Sequence, residues 1–303
     1  MTTRTLDITS VAAALQAVAL EGYVLQFLPP AFRTEAVCLA AVSTEGCALQ
    51  YAPSEACSEA VCLAAVGKNG VALQYVPDHV CSEAICLQAV KSDGYALQYV
   101  PPRFCSETVC LAAVASDGLA LQYVPLPMRS ATVCRMAVEH YGEALQYVPE
   151  KQLSEDLCLI AVNGTGMALR YAPEALRTPA VCTAAVECDG YALQYVPVVH
   201  LTETLCLTAV ARQGLALQFV PHAMLSEAIC AAAIGRDPHA LQYLPDEWKT
   251  VTCCLAAVER NGHALRHVPA DRITEAMCIA AVRHNPSALR HVPPQWKNRV
   301  ISA

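Results

Sequence analysis

One 24-residue unit recurs twelve times in succession over residues 10–297, without insertion or deletion. The third copy, 58–81, reads SEAVCLAAVGKNGVALQYVPDHVC, and the fourth, 82–105, reads SEAICLQAVKSDGYALQYVPPRFC. A fixed period of this length marks a solenoid, because one such unit cannot bury its apolar face alone and must stack on its neighbours. The expected organisation is a single twelve-repeat array over 10–297, with an extension at 1–9 and a tail at 298–303.

The columns of the repeat predict how each unit folds. Position 1 is Ser or Thr in all twelve repeats and position 2 is Glu in eight. A Ser or Thr N-cap accepts from an unpaired backbone N–H, and a first-turn Glu suits the positive end of the helix dipole. A helix is therefore expected from position 2 to about position 12. Position 13 is Gly in ten repeats, which predicts a left-handed C′ closure. Pro238 and Pro286 replace that Gly and predict turns built differently. Positions 14–19 read as a second short helix or 3-10 turn. The invariant Pro at position 20 ends it and opens a last turn. Position 24 and position 5 of the next repeat have hydrophobic-staple spacing, as in Cys81/Cys86, Cys105/Cys110 and Leu225/Cys230. The fold class is thus all-α: a right- or left-handed α/α solenoid of one longer helix plus one short helix or 3-10 turn per repeat. Val at positions 4 and 9 and Leu at 6 and 16 are the expected core.

Apolar residues make up 55% of the chain and charged residues 16%, enough for a continuous core. No apolar run reaches the roughly 18–20 residues of a membrane-spanning helix. The first residues, MTTRTLDITS, lack the basic-then-apolar pattern of a signal peptide. Eleven of the 17 cysteines fall at position 5, inside VCLAAV-like sequence where free Cys acts as a small hydrophobe. No C-x-x-C pair occurs, so no zinc site is expected. A reducing, cytoplasmic setting follows. G-x-S-x-G, H-E-x-x-H and Gly-rich phosphate loops are absent, and the Glu column is accounted for by the helix dipole. The reading is a non-catalytic chain without cofactor or metal.

The combination VCLAAV-x3-G-x-ALQYVP resembles the tandem helical repeats of a bacterial and viral family of unknown function, whose members read roughly VLAAV-x-x-NG-x-AL-x-YAS. The likeness runs through all twelve repeats, with Cys in place of the second Val and Pro in place of the Ser. A looser likeness is to leucine-rich-repeat-variant solenoids. The resemblance implies an α-solenoid, no established activity and a host-directed effector role.

Two columns are candidate binding ladders. Position 17 is Gln in nine repeats and Arg at Arg170, Arg266 and Arg290; position 18 is aromatic in ten and then His267 and His291. The pairs Gln74–Tyr75, Gln98–Tyr99, Gln122–Tyr123, Arg170–Tyr171, Arg266–His267 and Arg290–His291 are therefore the candidate site residues. Each has a competing structural role: Gln closing a turn and Tyr filling the groove between repeats. The variable positions 10–12, 14 and 21–22 are candidates for specificity. Charge is uneven: residues 1–249 carry a net −11 and residues 250–303 a net +4. The functional expectation is a protein-binding scaffold. The alternatives are nucleic-acid or anion binding through the basic C-terminal repeats, or polar capping there, and self-assembly through the Ala-rich faces.

Overall fold

The computed structural model describes residues 10–302, and its regular structure there is entirely helical. The predicted extension at 1–9 lies outside the described residues. The chain divides into two compact units at a repeat boundary, Met1–Leu153 and Ser154–Ala303.

In the first unit the long helices are α1 (Val11–Leu20), α2 (Glu35–Thr44), α3 (Glu59–Lys68), α4 (Glu83–Ser92), α5 (Glu107–Ser116) and α6 (Ala131–His140). In the second they are α7 (Glu155–Gly164), α8 (Pro179–Cys188), α9 (Glu203–Arg212), α10 (Glu227–Arg236), α11 (Val251–Arg260) and α12 (Glu275–His284). Each is followed by a six-residue 3-10 helix over positions 13–18, as at Gly70–Tyr75. Within each unit successive α-helices pack on one another, successive 3-10 helices do the same, and each 3-10 helix also touches the next α-helix. This is the two-layer arrangement of an α-solenoid.

The start of each repeat is built as its residues predict. The position-1 side chain accepts from the N–H at position 4 in eleven repeats, as in Ser58 to Val61 and Thr274 to Met277. Thr34 is the exception. The core comprises positions 4, 5, 8 and 9 of the α-helix and 15 and 16 of the 3-10 helix, for example Val61, Cys62, Ala65, Val66, Ala72 and Leu73. Position 6 departs from expectation. Leu63 and Leu87 are only half-buried and Leu39 is exposed, because position 6 lies on the outer flank of the buried stripe. Ala at 8 and 15 takes the inner places, where its small size lets the helices approach.

Position 13 also departs from expectation. No described residue has positive φ, so these glycines do not close a left-handed turn. They open the 3-10 helix beneath the next repeat. A Cβ on Gly94 would stand 2.6 Å from the Ala113 carbonyl oxygen, and one on Gly214 would stand 2.6 Å from that of Ala233. The absent side chain makes room for the neighbouring helix. The Pro238 and Pro286 turns are not built differently either. Asp237 (φ −143°, ψ 114°) and Asn285 (φ −148°, ψ 108°) match Asp93 (φ −153°, ψ 113°). The difference at these positions is in exposure. Pro238 is half-buried where its glycine counterparts are buried, and a groove of about 260 Å³ lies between α10 and α11. Pro286, in the last repeat, is exposed.

The last helix of the described residues, α13 (Pro294–Ser302), packs on α12. Val300 is buried, and Arg299 bonds Glu275 at 3.1 Å. Residues 298–302, within the stretch expected as a tail, are thus helical and belong to a helix packed on α12. Among the described residues no helix is long and apolar enough to cross a membrane.

Candidate functional site

The most distinctive geometry lies along the edge formed by positions 16–24. Proline at position 20 has no N–H, so the carbonyl at position 17 loses the donor that a continuing 3-10 helix would supply three residues on. Gln98 and Gln122 are such residues, followed by Pro101 and Pro125.

Three repeats satisfy this edge with an arginine at position 24. Arg129 donates from Nε to the Val124 carbonyl (2.8 Å), from Nη1 to that of Tyr147 (2.6 Å) and from Nη2 to that of Gln122 (3.0 Å). Arg33 makes the same three bonds to Leu28, Tyr51 and Gln26 at 2.9, 3.2 and 3.1 Å. Arg177 makes them to Ala172, Tyr195 and Arg170 at 2.9, 2.9 and 3.3 Å. One guanidinium thus clamps positions 17 and 19 of its own repeat to position 18 of the next, using the fork of fixed donors that arginine carries. Partial burial lowers the Arg129 pKa.

Repeats 3 and 4 carry Cys81 and Cys105 at position 24, and grooves lie there instead. The first, about 330 Å³, is lined by Leu73, Gln74, Val76, Asp78, Cys81, Tyr99 and Pro101. The second, about 510 Å³, is lined by Leu97, Gln98, Val100, Pro102, Cys105, Tyr123, Pro125, Pro127 and Met128. The two use the same positions, displaced by one repeat. Cys81 and Cys105 are half-buried and hold their staple contacts, each 3.7 Å from the buried Cys86 or Cys110. That distance is far beyond a disulfide bond of about 2.05 Å.

The residues of positions 17 and 18 lie at this edge. Gln74, Gln98 and Gln122 each donate an amide hydrogen to the carbonyl at position 14, at 3.1, 3.1 and 3.2 Å. Gln74 and Gln98 are otherwise exposed. Tyr75, Tyr99, Tyr123 and Tyr171 are half-buried. Gln74 lines a groove with Tyr99, and Gln98 with Tyr123, so each groove joins the glutamine of one repeat and the tyrosine of the next. Tyr123 also meets Tyr95 edge-on, with ring centroids 5.8 Å apart.

The arginines of position 17 behave differently. The Arg170 guanidinium lies 4.4 Å from the centre of the Tyr171 ring. Arg266 Nε meets His267 Nε2 at 2.8 Å, and Arg290 Nε meets His291 Nε2 at 3.0 Å. Partial burial, then the adjacent guanidinium, pushes the pKa of His267 and of His291 below the usual histidine value. No group of three or more metal-ligating side chains occurs among the described residues.

Position 12, within the variable stretch considered for specificity, has a structural duty in seven repeats. Asn69, Asp93, Asp117, Asp189, Asp237, Asn261 and Asn285 each accept from the N–H two residues on and cap the 3-10 helix. Neither these caps nor the arginine clamp is among the features the repeat pattern singled out. The clamp has a visible signal: Arg33, Arg129 and Arg177 interrupt a staple column otherwise rich in Cys, Leu and Ile.

No curated protein and no solved structure matches the chain. A family model described as a domain of unknown function (DUF4116) matches three times in tandem, at residues 59–105, 82–129 and 132–177. The edge grooves of repeats 3 and 4 fall inside these matches, which support a tandem repeat family of unknown function over residues 59–177.

Proposed function

We propose that the chain is a non-catalytic scaffold that binds another protein along the edge formed by positions 16–24. The observation that carries this reading is the pair of successive grooves in repeats 3 and 4, made from the same positions and lined by amide, aromatic and apolar groups. Mixed linings of this kind suit polypeptide recognition, where amphipathic aromatic residues supply contact area and amides supply direction. Most other recurring residues are occupied in capping and core packing, and on this edge positions 21–22 and 24 vary from repeat to repeat beside the recurring residues at 17, 18 and 20. Variable apolar residues add to it, Leu126 being 65% exposed in the first unit and Val198 79% in the second. A host-directed effector, as the family resemblance implies, is one setting for such a scaffold.

The test is affinity capture followed by mass spectrometry, comparing the intact chain with a Gln98→Glu/Tyr123→Ala variant. The reading expects proteins retained by the first and lost from the second. Identical proteins on both, or no retained protein on either, would contradict it.

A further inference from the structure

The grooves at position 24 occupy the place that an arginine fills elsewhere in the same chain. In repeat 5 the guanidinium of Arg129 rests on the carbonyl oxygens of Gln122, Val124 and Tyr147. The equivalent oxygens in repeat 4 belong to Gln98, Val100 and Tyr123, three residues that line the 510 Å³ groove. The backbone matches at positions 19 and 20, beside and at the carbonyl of Val100. Val100 (φ −71°, ψ 121°) matches Val124 (φ −67°, ψ 126°), and Pro101 (φ −58°, ψ 142°) matches Pro125 (φ −56°, ψ 138°).

Position 24 itself supplies a second, independent sign. Cys105 has φ −78° and ψ 79°, close to Arg129 at −75° and 68° and Arg177 at −80° and 59°. Repeats that fill the column with leucine turn differently, with ψ 126° at Leu201 and 133° at Leu225, whereas Cys57 (ψ 76°) and Lys249 (ψ 58°) share the Cys105 backbone. Repeat 4 therefore keeps the backbone of an arginine-clamped repeat while carrying a side chain too short to clamp.

We propose that the groove between repeats 4 and 5 is a seat for an arginine side chain presented by a partner polypeptide. This rests on the scaffold reading for its biological setting, and it names the partner's chemistry. Three converging carbonyl dipoles match a planar guanidinium, whose fixed fork reaches several acceptors at once. A lysine ammonium is a compact, strongly hydrated charge and matches them less well. The net charge of −11 over residues 1–249 draws a basic segment toward this part of the chain. The groove of repeat 3 is the weaker seat, because Arg103 already bonds the Asp78 carbonyl at 3.1 Å beside it.

The experiment titrates isotope-labelled full-length protein with N-acetyl-L-argininamide and, separately, N-acetyl-L-lysinamide, and follows the backbone amides. The expected result is saturable shifts at residues 98–105 and at Tyr123 with the arginine derivative, and binding at least about tenfold weaker with the lysine derivative. Cys105→Arg supplies the missing clamp from within, so it should abolish the shifts and raise the melting temperature. Should that variant fail to fold, Cys105→Leu, which copies the side chain of Leu201 and Leu225, must abolish them instead. No shifts with the arginine derivative, equal shifts with both derivatives, or shifts that survive in the blocked variant would each overturn the proposal. The probe requires no partner protein. Probe binding without partner capture would uphold the seat and count against the scaffold, and partner capture without probe binding would do the reverse.

Discussion

Gly94 lies directly beneath the carbonyl of Ala113, so closely that a single methyl group on Gly94 would stand 2.6 Å from that oxygen. The obstacle is backbone, which cannot swing aside as a side chain does. Gly94→Ala should therefore push α5 away and cost about 1–3 kcal/mol, the range for overpacking a tight interior. Gly164→Ala is the matched control. It sits at the end of α7 with nothing within 4 Å of the added Cβ, so it should be neutral or stabilising by up to about 1 kcal/mol. Denaturant unfolding of the two variants checks the contrast, and equal effects would contradict it.

Ser82 accepts from the Ile85 N–H at 3.4 Å, whereas the Thr34 side chain makes no cap bond. Ser82→Ala should cost about 1 kcal/mol and Thr34→Ala distinctly less. Thermal unfolding followed by circular dichroism decides this, and a larger loss at Thr34 would count against the capping account.

The buried cysteine column should be chemically silent. Burial, reinforced by the neighbouring Cys81 and Cys105 thiols, pushes Cys86 and Cys110 up to about 12. At pH 8 both stay protonated and out of reach, while Cys188 is exposed. An aromatic disulfide reagent should label Cys188 within seconds to minutes, the half-buried Cys81 and Cys105 more slowly, and the column only on unfolding. Peptide mapping that finds Cys110 labelled as fast as Cys188 would refute this.

His267 and His291 titrate below the ordinary histidine value, so their neutral forms are favoured in the folded protein. An unfolded chain would take up protons first, near pH 6.5. The contribution of these residues to stability is thus present above about pH 6.5 and is lost as the pH falls through the folded-state pKa. NMR titration should place both histidines below the usual value. Arg266→Gln should raise the His267 pKa, with a smaller rise at His291. An unchanged His267 would remove Arg266 as a cause.

Within one repeat most of the architecture is legible from residue type. The Ser/Thr cap, the buried Val and Cys and the proline break act over a few residues, and Ser58, Cys62 and Pro77 each do what their columns imply. Relationships between repeats are harder to read. Gly94 is explained by a helix nineteen residues away in sequence, and its φ is unexceptional. Pro238 keeps the turn of its glycine counterparts and differs from them in being half-buried. Gln98 lines a groove with Tyr123 of the next repeat, because the groove is shared between consecutive repeats. Arg129 looks like a misplaced surface charge until the carbonyls it bridges are brought together by stacking.

The central claim is that position 24 decides whether the edge is closed by the protein's own arginine or open to another. Arg129→Cys tests it most directly, because it copies repeat 4 into repeat 5. Titrated with N-acetyl-L-argininamide, this variant should show new amide shifts at Gln122, Val124 and Tyr147 that the unaltered protein lacks, alongside those at the Cys105 groove. Binding that stays confined to the Cys105 groove, in a variant that remains folded, would contradict the claim.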